Sequence, residues 1–411
     1  MDSSSLVDLQ PLARMALLGI LIALGPLAWV WARTRGADRS RRRHALTLLT
    51  LFLTFDLVLF GAFTRLSDSG LGCPDWPGCY GSASPVGARE SIRAAETALP
   101  SGPVTHAKAW IEMLHRYLAT GVGVLIIAMT ALAWQQWREQ RRRAQRTPIH
   151  AAPFTSPWWA TATLVWVCIQ GAFGAFTVTL KLYPAIVTAH LLGGLALLVL
   201  LAVQAWGGRG EPVGVSPALR RGMVAVATLA GLQIALGAWV STNYAVLACT
   251  DFPMCQGRWW PAMDFEQGFA LLRPLGVGAG GGWLPFEALT AIHMAHRLGA
   301  AVLLAALAAL AWRLSRRAAL RRFAYGLVAI ALWQLASGVS NVVLGWPLAA
   351  ALGHTGGAAA LVLLLTALMM RGVATEHTEL DLVELERGRT EIKGAEARSR
   401  RPGAVPARGT L

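Results

Sequence analysis

The chain has 411 residues, 55% of them hydrophobic and only 14% charged, with a mean hydropathy of +0.48 and a formal net charge of +15. That balance excludes a soluble globular domain and fits a polytopic membrane protein. The positive charge would suit nucleic acid if it were spread or patched on one face, but its placement serves orientation instead.

Apolar runs of about 20 residues, each long enough to cross a hydrocarbon core of about 30 Å, recur along the chain. The first, 13–32, is long and is followed by no small-residue cleavage site, so it reads as an N-terminal anchor, not a cleaved signal. Spans at 46–64, 110–134, 158–179 and 185–206 follow, then, after a linker at 207–218, spans at 219–242, 289–312, 323–344 and 348–370. Arginine crowds alternate connections, as "RTRGADRSRRRH", "REQRRRAQR" and "RLSRRAALRR". By the positive-inside rule those connections face the cytoplasm, which puts the N-terminus outside and the C-terminus inside a bacterial-type cell membrane. The tail, 371–411, is polar and charge-mixed without an apolar period, and reads as disordered cytoplasmic sequence.

The connections on the outer side carry two related stretches, "GLGCPDWPGCYG" and "VLACTDFPMCQG". Cys73 with Cys79, and Cys249 with Cys255, can each close a small loop in an oxidising compartment; free thiols and a redox-active pair are the other readings. Cys168, inside an apolar span, reads as a core residue. Residues 61–81 align without a gap on 237–257, sharing Gly61/Gly237, Cys73/Cys249, Asp75/Asp251, Pro77/Pro253, Cys79/Cys255 and Gly81/Gly257. A second match pairs Gln170/Gln334, Gly174/Gly338 and His190/His354, and a third pairs the dipeptides His115–Arg116 and His296–Arg297. Three matches in one order imply an internal duplication. The expected fold is all-α: an eight-helix core of two pseudo-symmetric four-helix bundles, 46–206 and 219–370, with the first helix (in 1–45) added.

Ionisable residues within membrane spans are costly and point to function. His115, His190, His296 and His354 fall roughly 8–11 Å inside their predicted helix ends, two per half and all toward the cysteine loops. Paired imidazoles across a helix bundle suit the axial positions of a heme iron, so the economical reading is two bis-His sites, one per half. Zinc would want four ligands with thiolates or carboxylates among them. Arg116 and Arg297 either pair with heme propionates or snorkel to headgroups. The halves differ at one telling place: Glu112 precedes His115 by three residues, where the second half has His293 before His296. Residues three apart share a helix face, so Glu112 points to whatever His115 binds, either to move protons or to stabilise charge on a substrate.

"GAFTRLSDSGLGCPDWPGCYG", "EMLHRYLA", "LKLYPAIVTAH", "QIALGAWVSTNYAVLACTDFPMC" and "IHMAHRLGA" together resemble the heme A synthase family, over about residues 46–370. The resemblance implies an oxidoreductase that converts the position-8 methyl of heme O, through an alcohol and a hydrated aldehyde, to the formyl group of heme A. It implies that His115 and His190 flank the substrate heme, that His296 and His354 ligate a heme B cofactor, that Glu112 is the catalytic carboxylate, and that Cys73 and Cys79 form a loop disulfide. Lipid-soluble heme O, an unidentified electron donor, heme O synthase and terminal oxidase assembly factors are the partners it suggests, with no nucleic acid. The residues alone also admit a non-catalytic di-heme cytochrome that carries electrons, and, further off, a transporter or heme-handling chaperone.

Overall fold

A computed structural model describes residues 10–146, 156–207, 211–278 and 280–374; His150, His377 and the tail beyond residue 374 lie outside the described residues. Among the described residues, nine helices are long and apolar enough to span a membrane: α1 Gln10–Arg33, α2 Arg39–Leu66, α4 His106–Arg146, α5 Trp158–Thr179, α6 Pro184–Trp206, α7 Pro217–Thr242, α9 Phe286–Ser315, α10 Arg321–Val343 and α11 Leu348–Arg371. Two short helices, α3 Arg89–Ala98 and α8 Phe265–Gly268, sit in the long connections that carry the cysteines.

Local chemistry sets the helix starts. Asp38 caps α2 by accepting from the Arg41 amide at 2.9 Å, and Ser216 caps α7 by accepting from the Leu219 amide at 3.3 Å. Proline at the cap or the first position opens α5, α6, α7, α9 and α11, where a missing N–H costs nothing. Helix α4 runs 41 residues, well past the predicted span. Its extra turns are the Arg-rich segment: Arg141 lies 4.2 Å over the Trp137 ring, and Glu139 pairs with Arg39 at the start of α2. The Arg-rich ends of α2 and α4 therefore lie together.

Helices α2, α4, α5 and α6 pack in a ring, each against the next and α6 against α2; α7, α9, α10 and α11 make the corresponding ring. Away from the cysteine loops the two rings are filled by large apolar side chains, Leu46, Leu125, Ile126, Leu198 and Leu201 in one and Met223, Leu307, Leu314, Leu327 and Leu368 in the other. Phe52, Ile127, Val165, Val302 and Leu332 point outward, as helices solvated by lipid require. The rings touch through α6 with α11, α2 with α11, and α6 with α7. At this seam the Arg65 guanidinium donates to the Ser241 carbonyl and lies 4.0 Å over the Tyr244 ring, while the Tyr244 hydroxyl donates to Asp68 at 2.6 Å. Both hydrogen bonds join positions that the internal repeat aligns with each other.

Helix α1 lies along α4 and α2, outside the first ring. A Cβ at Gly19 would overlap the Thr120 side chain at 2.3 Å, and one at Gly121 would meet Ile22 at 3.0 Å, the close approach that small residues give helices in lipid. Three structural details depart from the sequence reading. Cys168 is exposed on the lipid-facing surface instead of in the core. Residues 372–374, expected to begin the tail, form a strand paired in parallel with Val213–Val215 of the linker, and Arg220 fixes that junction by donating to the Met369 and Gly372 carbonyls at 2.6 and 2.8 Å. The connection 65–109, for which the sequence offers no element, holds α3, whose Ile92 is fully buried against the cysteine loop.

Candidate heme-binding site

Both cysteine pairs are bridged, Cys73–Cys79 with Cα atoms 4.9 Å apart and Cys249–Cys255 at 4.7 Å, and all four sulfurs belong to buried residues. Each loop is wound around an aspartate. Asp75 accepts from the Tyr80 and Gly81 amides at 2.6 and 2.7 Å; Asp251 accepts from the Gln256 and Gly257 amides at 2.7 and 2.9 Å. Gly81 and Gly257 have φ of 68° and 69°, which a side chain would resist, and Trp76–Pro77 and Phe252–Pro253 are both cis. The repeated pattern Cys, Asp, Pro, Cys, Gly is thus one loop built twice.

An arginine on the helix beneath fastens each loop. Arg116 donates to the carbonyls of Asp75 and Pro77 at 2.9 and 3.2 Å, and to that of Gly78; Arg297 donates to those of Met254 and Asp251 at 2.8 and 2.9 Å. Neither guanidinium is a headgroup-seeking snorkel: loop carbonyls take most of their donors, although Nε of Arg297 is left unpartnered. In the first half a carboxylate joins the clasp. Glu112 is buried, accepts from the Cys73 amide at 2.8 Å, and pairs with Arg116 one turn further along α4. A Cβ at Gly72 would lie 2.4 Å from the Lys108 carbonyl carbon, so the loop lies directly on α4 above this carboxylate. His293, at the position matching Glu112, is also buried, and its Nδ1 has no hydrogen-bond partner.

Below the loops lie the four histidines. His115 is on α4 and His190 on α6, at diagonal corners of the first ring; His296 on α9 and His354 on α11 take the same corners of the second. The His296 and His354 ring centres are 6.4 Å apart and their planes cross at 80°. An iron bonded about 2 Å from each Nε2 would hold the imidazole centres roughly 6 Å from one another. The ring spacing therefore suits one metal ion between the two imidazoles. Among the described residues no group of three or more His, Cys, Asp and Glu is gathered that would hold a bare ion.

Every one of these imidazoles is backed by a glycine, which the sequence reading noted only as identities between repeats. A Cβ at Gly61 or Gly237 would come within 2.9 Å of Cε1 of His115 or His296; one at Gly174 or Gly338 would come within 3.3 Å of Cε1 of His190 or His354. Glycine here makes room for an imidazole between helices. The nitrogens facing away from the site differ between halves. Nδ1 of His296 lies 2.8 Å from the Gln233 amide and Nδ1 of His354 lies 2.9 Å from the Ser337 hydroxyl. Nδ1 of His115 and of His190 are buried without a hydrogen-bond partner. Phe60 instead stacks nearly parallel to His115, with centres 6.3 Å apart.

The cytochrome oxidase assembly protein family, COX15-CtaA, matches residues 44–366. A heme A synthase of Shewanella oneidensis is 37% identical over 321 residues, covering 77% of this chain and 92% of that protein. Heme A synthases of Symbiobacterium thermophilum and Allorhizobium ampelinum are each 29% identical, over 72% and 79% of this chain and 84% and 89% of their own lengths. The matched region holds both rings, both cysteine loops and all four histidines.

Proposed function

The chain belongs to the COX15-CtaA family of cytochrome oxidase assembly proteins, and we propose that it works as its named relatives do, as a heme A synthase that oxidises a methyl group of heme O to the formyl group of heme A. It is a multi-pass membrane enzyme, and heme O with its long isoprenoid tail is a substrate that partitions into the same lipid. The carrier reading, a cytochrome that only passes electrons, gives way to this one.

Within that activity the first ring receives heme O between His115 and His190, and the second holds heme B between His296 and His354. The observation that carries this assignment is the facing pair His296 and His354, spaced for one iron and glycine-backed, with the same glycine seats repeated under His115 and His190. Bound heme B supplies one-electron chemistry at its iron. The chain's own residues do the rest. The imidazoles orient the two porphyrins, and the disulfide loops, clasped by Arg116 and Arg297, cover them from one side. Glu112 sits on the helix face of His115 and only in the substrate half. Its carboxylate balances positive charge that develops on the substrate, or holds a proton released there, in a buried place where such a charge acts strongly. The Arg-rich connections face the cytoplasm, so the bridged cysteines lie on the oxidising side, and an electron-transfer partner completes the cycle.

Extraction of hemes from the purified protein, made with and without a supply of heme O, tests this. Heme A should appear only with heme O, over a reduced b-type absorption band present in both preparations. A colourless protein would overturn the reading.

A further inference from the structure

Metal-bound imidazoles usually donate their far N–H to a fixed acceptor, which sets the tautomer and stiffens the ring. His354 has such an acceptor. Ser337 spends its hydroxyl hydrogen on the Trp333 carbonyl one turn back, at 2.7 Å. With its hydrogen on that carbonyl the Ser337 oxygen is free to accept, so the 2.9 Å contact suits the tautomer in which His354 carries its proton on Nδ1. That leaves the Nε2 lone pair for iron. Gln334 holds the same residue from behind by donating to the His354 carbonyl at 2.8 Å. His296 is held in another way: the Gln233 amide nitrogen, a donor, lies 2.8 Å from its Nδ1 and also donates to its carbonyl at 2.9 Å, so Gln233 fixes the residue's place without offering an acceptor to an Nδ1–H.

Carried through the internal repeat, Gln233 falls on Leu57 and Ser337 on Phe173. Neither side chain offers an acceptor, and both Nδ1 atoms of the first half are buried without a hydrogen bond in good geometry; the Gln170 carbonyl lies by His190 just as the Gln334 carbonyl lies by His354, so that contact is common to both halves and Ser337 is what the second half adds. The halves thus share ligands, glycines and loops but differ in what grips the ligands.

We propose that Ser337 is a positioning residue that holds His354 in its iron-binding tautomer and makes the second site a resident one, with Gln233 supporting His296, whereas Leu57 and Phe173 leave the first site loosely held for a heme that must enter and leave. The inference rests on the reading that His296 and His354 ligate heme B, and the experiment separates the two. In the full-length purified protein, Ser337→Ala should still take up heme B but release it to apomyoglobin about 10- to 100-fold faster, the range seen when such outer partners are removed. Its midpoint potential should move upward, because an imidazole without an acceptor on Nδ1 donates less to ferric iron. Ser337→Thr, which keeps a hydroxyl, should restore both. Wild-type release and potential in Ser337→Ala, beside loss of the b-type band in His354→Ala, would overturn the inference alone. An intact band in His354→Ala would overturn the heme B assignment, and the inference with it.

Discussion

The two cysteine loops and the two helix rings beneath them repeat one another, the loops more closely than the rings. Above, the copies share one plan: an aspartate bonded to two following amides, a cis proline, a bridge, a positive-φ glycine, and an arginine rising from below. Below, the glycine-backed imidazoles also match, but the groups beside them do not. Glu112 stands where His293 stands; Leu57 and Phe173 stand where Gln233 and Ser337 stand. The glycine-backed imidazoles are what the two halves share; the side chains beside them are where the proposed division into a substrate half and a cofactor half would have to reside.

The sharpest way to break that comparison is at Glu112. Glu112→Ala should lower heme A formation at least about 100-fold, the scale on which a positioned acid or base contributes, while the b-type band of the second half persists. Because the substitution also strands Arg116 and the Cys73 amide, Glu112→Gln is the cleaner probe: it keeps an acceptor for Cys73 and removes the charge. Normal heme A yield in Glu112→Gln would reduce this residue to a clasp. The glycine seats come next. Gly237→Val should abolish the b-type band, since even the first added carbon meets His296 at 2.9 Å, whereas Gly338→Ala, with 3.3 Å to His354, should weaken heme retention on the order of tenfold, as mild overpacking does. The matching changes at Gly61 and Gly174 should spare the band and cut conversion. If Gly61→Val removed the b-type heme, the halves would have been assigned the wrong way round.

Loops rank below ligands. Replacing Cys73 and Cys79 by serine removes a bridge across six positions, worth about 2 kcal/mol by loop-closure entropy. Turnover should drop a few-fold with heme B content unchanged, and the Cys249 and Cys255 pair should show the converse, measured as b-type heme per protein.

Much of this was legible in the sequence because lipid leaves few choices. An apolar run of span length must be a helix, so the spans could be read directly, and the four histidines inside them stood out as candidates because an ionisable group in lipid is costly. Both disulfides followed from spacing and side. Other features depend on chain returning from far away. Whether Arg116 meets lipid, a propionate or loop carbonyls is decided by where residues 75–78 fold back, and no helical period reports that. Gln233 and Ser337 sit one helix away from the imidazoles they touch, and look in sequence like ordinary polar residues in apolar runs. Cys168 was misplaced because a helix apolar all round does not announce which face is lipid. Helix α4 outran its prediction because arginines end a membrane span without ending a helix.

The smallest effect lies in the second loop. Asp251 is partly exposed, and the Gly257 amide first, then that of Gln256 and the charge of Arg297, hold its carboxyl below the usual carboxylate range. A group depressed in the folded state stabilises it above its unfolded value, near 4 for aspartate, and loses that contribution as pH falls through the folded value. The loop should therefore be fully held at neutral pH and loosen only under acid. Reduction of Cys249–Cys255 by a phosphine, followed as trapped thiols by mass spectrometry, should quicken as pH falls from about 5 to 3. Asp251→Asn cannot titrate and should flatten that rise while leaving heme content alone. An equal rise in the variant would show that the loop is held by its arginine and its bridge, with the aspartate's amide bonds contributing shape but no acid sensitivity.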